Sequence, residues 1–147
     1  TAFGWATQFT YADPSLTNCA IQTARSLGPQ IKEAIKADNP SWKGPLLVFS
    51  SVMVRAMETA LYNFAEEDIH PIPWIAEKGE TIDNMPLPWD EQQGKKLSRF
   101  PNRAIDIKRI ILDGSINPKD APDRNNSMKD SYDMFKQEFP KVLTLLL

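Results

Sequence analysis

Residues Pro45-Leu46-Leu47-Val48-Phe49 form an unbroken apolar run, bounded by Gly44 on one side and by Ser50-Ser51 on the other. A short run without polar alternation is what a strand buried on both faces looks like, and such strands belong mainly to parallel sheets covered by helices. Directly after it, Met53, Met57, Ala60, Leu61 and Phe64 follow at spacings of four, three, one and three, which is a helical period. Upstream, Leu16, Ala20, Ala24, Leu27, Ile31, Ala34 and Ile35 make the stripe of another amphipathic helix. Downstream, residues 69–75 predict a second strand, confined to an edge or an irregular end by Pro71 and Pro73. Helix, strand, helix, strand in one short span is the α/β pattern with parallel pairing. The expected fold is therefore α/β, a three-layer arrangement with a mostly parallel central sheet flanked by helices, incomplete as given.

Twelve prolines against six glycines reverse the usual ratio, and the prolines mark the connections. Residues 1–14 read as a loop arriving at the first helix, which Thr17 or Ser15 would cap and Asp38-Asn39-Pro40-Ser41 would end. The serine pair is expected to open the second helix, and Glu66-Glu67-Asp68 to close it. Residues 79–127 are polar and proline-dotted, and predict a long surface excursion of the kind that shapes a substrate entrance or a partner contact. Only residues 103–112 within it are apolar enough for a helix or a strand. Met128, Tyr132, Phe135 and Phe139 then predict a third helix, which Pro140 should kink or end, with residues 142–147 leading nowhere. The whole chain, 1–147, reads as one domain.

A formal charge of −2, from 17 basic and 19 acidic residues, excludes a strongly basic nucleic-acid binder. Trp5, Trp42, Trp74 and Trp89 are scattered, so no base-stacking platform is legible. No run approaches the roughly 20 apolar residues of a bilayer crossing and no secretory signal opens the chain. A cytoplasmic protein with no membrane partner is expected. A single cysteine, Cys19, leaves no internal disulfide, and it reads as a small buried side chain. A single histidine, His70, leaves no multi-histidine metal site, and beside Pro71 it reads as structural. No metal and no other cofactor is expected. Met53 and Met57 fit core packing. Lys95, Lys96, Arg99, Arg103, Lys108 and Arg109 make a basic segment, read first as a solvated face and second as a contact for an acidic or phosphorylated partner.

The chemistry is expected at residues 48–60, where a buried strand meets a helix. Backbone N–H groups and the positive end of a helix dipole converge at such a junction and favour an anion. Arg55 lies in the first turn, where a bound anion would offset the mild cost of a cation near the dipole's positive end. Its guanidinium matches a phosphate in bidentate geometry. The plain alternative is an arginine that extends into solvent.

Three segments carry a resemblance. Ser50-Ser51-x-x-x-Arg55-Ala56-x-x-Thr59-Ala60 after a hydrophobic strand resembles the second signature of the histidine phosphatase superfamily, the phosphoglycerate-mutase-like proteins. Upstream, Asp13-x-Ser15-Leu16-Thr17 with Ala24 and Leu27-Gly28 is similar to the family's D-x-P-L-T-x-x-G-x-x-Q-A-x-x-L-G helix, with Ala20 in place of its glycine and Thr23 in place of its glutamine. Pro73-Trp74-Ile75-Ala76-Glu77 with Asp83-Asn84-Met85-Pro86 is similar to the P-Y-I-x-E and D-N-x-P elements of a eukaryotic-type branch. The three lie in the family's order and span residues 13–86.

The resemblance implies a phosphomonoester hydrolase working through a phosphohistidine, on a phosphorylated small molecule or a phosphoprotein. It implies that Arg55 binds phosphate and stabilises transition-state charge, and that Glu77, with Glu80 as the fallback, protonates the leaving oxygen. Ser50 and Ser51 would donate hydrogen bonds near the phosphate, or cap the helix. The departures matter as much. The family's R-H-G nucleophile motif would fall just before Thr1, and its second histidine beyond Leu147, while His70 aligns with neither. The Thr1 start and the Leu145-Leu146-Leu147 stop read as cut ends, and the chain as given is expected to be inactive for want of a nucleophile. A non-catalytic relative that binds a phosphorylated ligand or a protein partner is the alternative, as is a phosphoglycerate-type phosphomutase.

Overall fold

The structure is a computed structural model that describes residues 13–75, 84, 86, 87, 97 and 128–146, and from residue 132 onward the last helix is described with its side chains. Helix α1 spans Asn18–Asp38. Strand β1 spans Val48–Ser51, helix α2 Val54–Asn63 and strand β2 Ile69–Ile72. A 3₁₀ turn follows at Pro73–Ile75, and helix α3 covers Met128–Leu146. The fold is α/β: helices with a two-stranded parallel sheet among the described residues.

Thr17, not Ser15, starts α1, its hydroxyl accepting a hydrogen bond from Ala20 N at 3.2 Å. The helix runs through Gly28 and Pro29, two residues that disfavour a helix interior by roughly 1 and 3 kcal/mol. Packing of its inner face, Ile21, Ala24 and Gly28, against α2 outweighs that local preference. Gly28 is required there by close approach: a Cβ on it would sit 2.1 Å from the Asn63 carbonyl oxygen. Lys32 pairs with Glu67 at 2.6 Å and ties α1 to the turn beyond α2.

The ladder is shorter at its start than the apolar run predicts and longer at its end. Its register is Val48 to Ile69, Phe49 to His70, Ser50 to Pro71 and Ser51 to Ile72. Leu46 and Leu47 precede the pairing, because in this parallel register they would face Glu67 and Asp68, in the turn before β2 begins at Ile69. The serine pair therefore ends the strand instead of opening the helix. Alternation along the strands divides the core in two. Val48 and Ile69 join Ile21, Ala24, Met57, Leu61 and Leu97 in one cluster with α1 and α2. Phe49 and Ile72 join Trp74, Phe135, Phe139 and Val142 in the other, with α3. The rings of Phe49 and Phe139 meet edge to face at 5.1 Å.

Pro140 does not end α3, which continues to Leu146. Residues 142–146 are its final turns, and Val142 and Leu146 pack into the second cluster. Leu97 is fully buried in the first cluster, so the span 79–127 reaches the core at that point. The remainder of that span, including 103–112 and the basic residues at 95, 96, 99, 103, 108 and 109, lies outside the described residues, except Asn84, Pro86 and Leu87. Cys19 is exposed, because it falls on the outer side of the first turn of α1. Met53 and Met57 are core residues. Among the described residues no helix is long and apolar enough to cross a membrane.

Candidate functional site

A cleft of 530 Å³ is lined by all four residues of β1, by one face of α2, and by Leu16 and Ile75. Neighbouring strand side chains point to opposite faces, so a cleft that touches four consecutive residues follows the strand along its edge. β2 takes the other edge. On α2 the lining residues are Arg55, Ala56, Thr59, Ala60, Asn63 and Phe64, the i, i+1, i+4, i+5, i+8, i+9 stripe of a single helix face. The R-A-x-x-T-A pattern of the sequence is therefore a surface: its four named residues face the cleft together. The opposite face carries Met57, Glu58, Leu61 and Tyr62, all buried.

Arg55 projects from the first turn of α2 and its Nη2 donates to Asn84 Oδ1 at 3.0 Å. Thr59 Oγ1 donates to the Arg55 carbonyl at 2.8 Å, which spends its hydroxyl proton on the helix backbone. Ser50 is buried, and its hydroxyl donates to the Ser51 carbonyl at 2.9 Å. Ser51 Oγ accepts from Met53 N at 3.3 Å. The structure thus brings Arg55, Ser50 and Ser51 to one cleft, while Glu77 and Glu80 lie outside the described residues.

The start of α2 differs from the open anion nest that the strand–helix junction predicts. Met53 occupies the cap position and makes no side-chain cap bond. Instead, Asp13 Oδ1 accepts from Val54 N at 2.7 Å across 41 residues of chain. Ala56 N and Met57 N both bond the Met53 carbonyl at 3.0 Å. A carboxylate of the protein itself thus holds one of the N–H groups that an incoming anion would use, and the serines do not cap the helix. Asp13 is fully buried, and its other oxygen accepts from Leu87 N at 3.2 Å. It adopts φ 48°, the one left-handed non-glycine residue among those described. A second buried carboxylate answers it: Glu58 Oε2 on α2 accepts from Leu16 N at 2.6 Å. Loop and helix therefore hold each other by exchanged carboxylate–amide bonds.

His70 does not line the cleft. It is buried on β2, with its ring 5.8 Å from that of Phe49. Burial pushes its pKa below the ordinary value, and the nearby Asp68 carboxylate opposes that in part. Burial also raises the Tyr62 hydroxyl, against the pull of Arg25, whose guanidinium lies 4.9 Å from the ring centre. A second cavity, of 350 Å³, lies toward the amino end of β1 between Lys32, Lys36, Trp42 and Glu66, away from the residues singled out in the sequence.

Sequence reasoning passed over two residues of this site. Asp13 and Asn84 both stand in quoted motifs, yet neither carries an assigned role. An aspartate before Pro14 is a turn signal by local rules, and nothing local shows that its carboxylate reaches a helix 41 residues on. Comparison of the chain with protein-family models, curated proteins and solved structures returned no match.

Proposed function

We propose that this chain is the phosphate-handling part of a histidine-phosphatase-type domain, a phosphomonoester hydrolase in which Arg55 holds the phosphoryl group. The observation that carries the reading is the gathering of Arg55, Ala56, Thr59, Ala60, Ser50 and Ser51 on one cleft that runs along a parallel strand and includes its carboxyl end. Ligands of open α/β sheets bind outside the carboxyl ends of the strands, which supports the part of the cleft at Ser50, Ser51 and Arg55. The finer architecture of the proposal is a three-layer fold with a mostly parallel sheet. Two core clusters on alternate strand residues, one with α1 and α2 and one with α3, support the layers. Among the described residues no strand pairs with β1 on the side the cleft follows, which is the position a further strand would take. A nucleophile-bearing strand is what the proposed chemistry requires there.

In this reading phosphate meets side chains more than backbone. Arg55 supplies charge and a forked donor. The α2 dipole is shared with Asp13, so its contribution to a bound anion is smaller than at an uncapped helix. Glu77, or failing it Glu80, is the proposed acid. One observation favours a binding version over a catalytic one for the chain itself: the sole histidine is buried against Phe49 and outside the cleft.

Vanadate or inorganic phosphate titrated against wild type and Arg55→Ala tests the proposal. Wild type should bind in the millimolar range, and the variant should bind about tenfold or more weakly, the worth of one charge-assisted contact. Equal binding by the two proteins removes Arg55 from the account and the phosphatase reading with it.

A further inference from the structure

The geometry points to Asp13 as the positioning residue for Arg55: one buried carboxylate holds both the helix end from which Arg55 extends and the segment that grips its guanidinium. Oδ1 takes the N–H of Val54, the residue before Arg55, at 2.7 Å. Oδ2 takes the N–H of Leu87 at 3.2 Å, three residues past Asn84. Asn84 Oδ1 in turn receives Arg55 Nη2 at 3.0 Å. The backbone origin of the arginine and the partner of its tip are thereby referred to the same group.

A simple helix cap would not need this arrangement. Capping takes one side-chain oxygen from a residue in extended backbone next to the helix. Asp13 uses both oxygens, comes from 41 residues away and sits at φ 48°, the left-handed region that few residues other than glycine, asparagine and aspartate adopt. Burying the carboxylate completely adds a desolvation cost that short bonds to amides offset. A guanidinium held at both ends loses less freedom when it meets a ligand, and binds more tightly for that reason. The consequence for phosphate rests on the function proposed above, whereas the orientation of Arg55 does not.

Asp13→Asn is the sharp variant, because an amide has one acceptor oxygen and its NH₂ would face a second N–H donor. Asparagine caps a helix as well as aspartate does, so Val54 keeps its partner and Leu87 loses its own. Leu87→Pro makes the complementary cut by deleting the N–H donor while leaving Asp13 and α2 intact. In both variants the Arg55 Nε–Hε signal in a ¹H–¹⁵N spectrum should move toward that of a freely rotating arginine. Affinity for inorganic phosphate should fall about tenfold, and adding Asn84→Ala should cost little more, because all three cut the same linkage. An Arg55 signal unchanged from wild type in folded Asp13→Asn or Leu87→Pro protein overturns the inference, as do losses that simply add. If Asp13→Asn fails to fold, Leu87→Pro decides alone by the same signal. Wild-type protein whose Arg55 signal ignores phosphate overturns the phosphate reading, and leaves the orientation to be judged by the spectra of the variants.

Discussion

The two best-described helices begin in opposite ways. Helix α1 is capped from next door: Thr17 and Ala20 are three residues apart, and the bond is exposed. Helix α2 has no cap of its own, and its first N–H is met by a buried carboxylate 41 residues upstream. Water explains the difference. An exposed helix end can fall back on solvent, so a weak local cap suffices. At the end of the sheet, where Val52, Met53 and Val54 are all buried, no such fallback exists and each N–H needs a partner from the protein. A charged acceptor suits that place twice over, as a strong hydrogen-bond partner and as a complement to the dipole. The same choice bears on function, since the end of α2 best placed for an anion already holds one.

Several substitutions would break or sharpen this contrast. Asp13→Ala strips one buried and one part-buried N–H group of their acceptor and should cost about 3 kcal/mol in urea unfolding. A cost near 1 kcal/mol would make the buried start no different from the exposed one. Gly28→Ala tests whether the two helices are locked where they cross. A methyl group 2.1 Å from a backbone oxygen forces them apart, at about 2 kcal/mol. Thr17→Ala should cost about 1 kcal/mol, the ordinary worth of a local cap. A loss as large as that from Asp13→Ala would erase the distinction.

The smallest expected effect lies on the face away from both helix starts. Because burial lowers the folded pKa of His70, the unfolded chain takes up its proton more readily. Stability should be fully present above pH 6.5 and fall as the pH drops below it toward the folded value. Histidine to phenylalanine at position 70 should flatten that limb of the pH–stability curve, and an unaltered limb would assign it to other groups.

Much of the fold was legible because its signals are local or periodic. The helical periods from Leu16 to Ile35 and from Met53 to Phe64 located both helices, and Met57, Ala60, Leu61 and Phe64 do share one core. On α1, however, the buried face is Ile21, Ala24 and Gly28, and Leu27 of the expected stripe is exposed. Boundaries were less legible for an equally physical reason. Where β1 starts depends on where β2 starts, and the turn that ends at Asp68 sets that from another part of the chain. Pro140 was a poor stop signal because the flanking residues Phe139 and Val142 both pack into the core, which outweighs one lost helix bond. At the site, Arg55 stood out through its motif, and the stripe it shares with Ala56, Thr59 and Ala60 follows from helical spacing alone. Asn84 and Asp13 did not stand out, since their roles are contacts between distant segments.

By itself the sequence determined the element types, their parallel α/β order and the helix face that carries Arg55, all consequences of short-range periodicity and turn chemistry. The tertiary structure decided what surrounds that face: which strand edge the cleft follows, which carboxylate closes the start of α2 and which side chain grips the guanidinium. Those are pairings across 29 to 74 residues of chain, and they exist only once burial has removed the competing water.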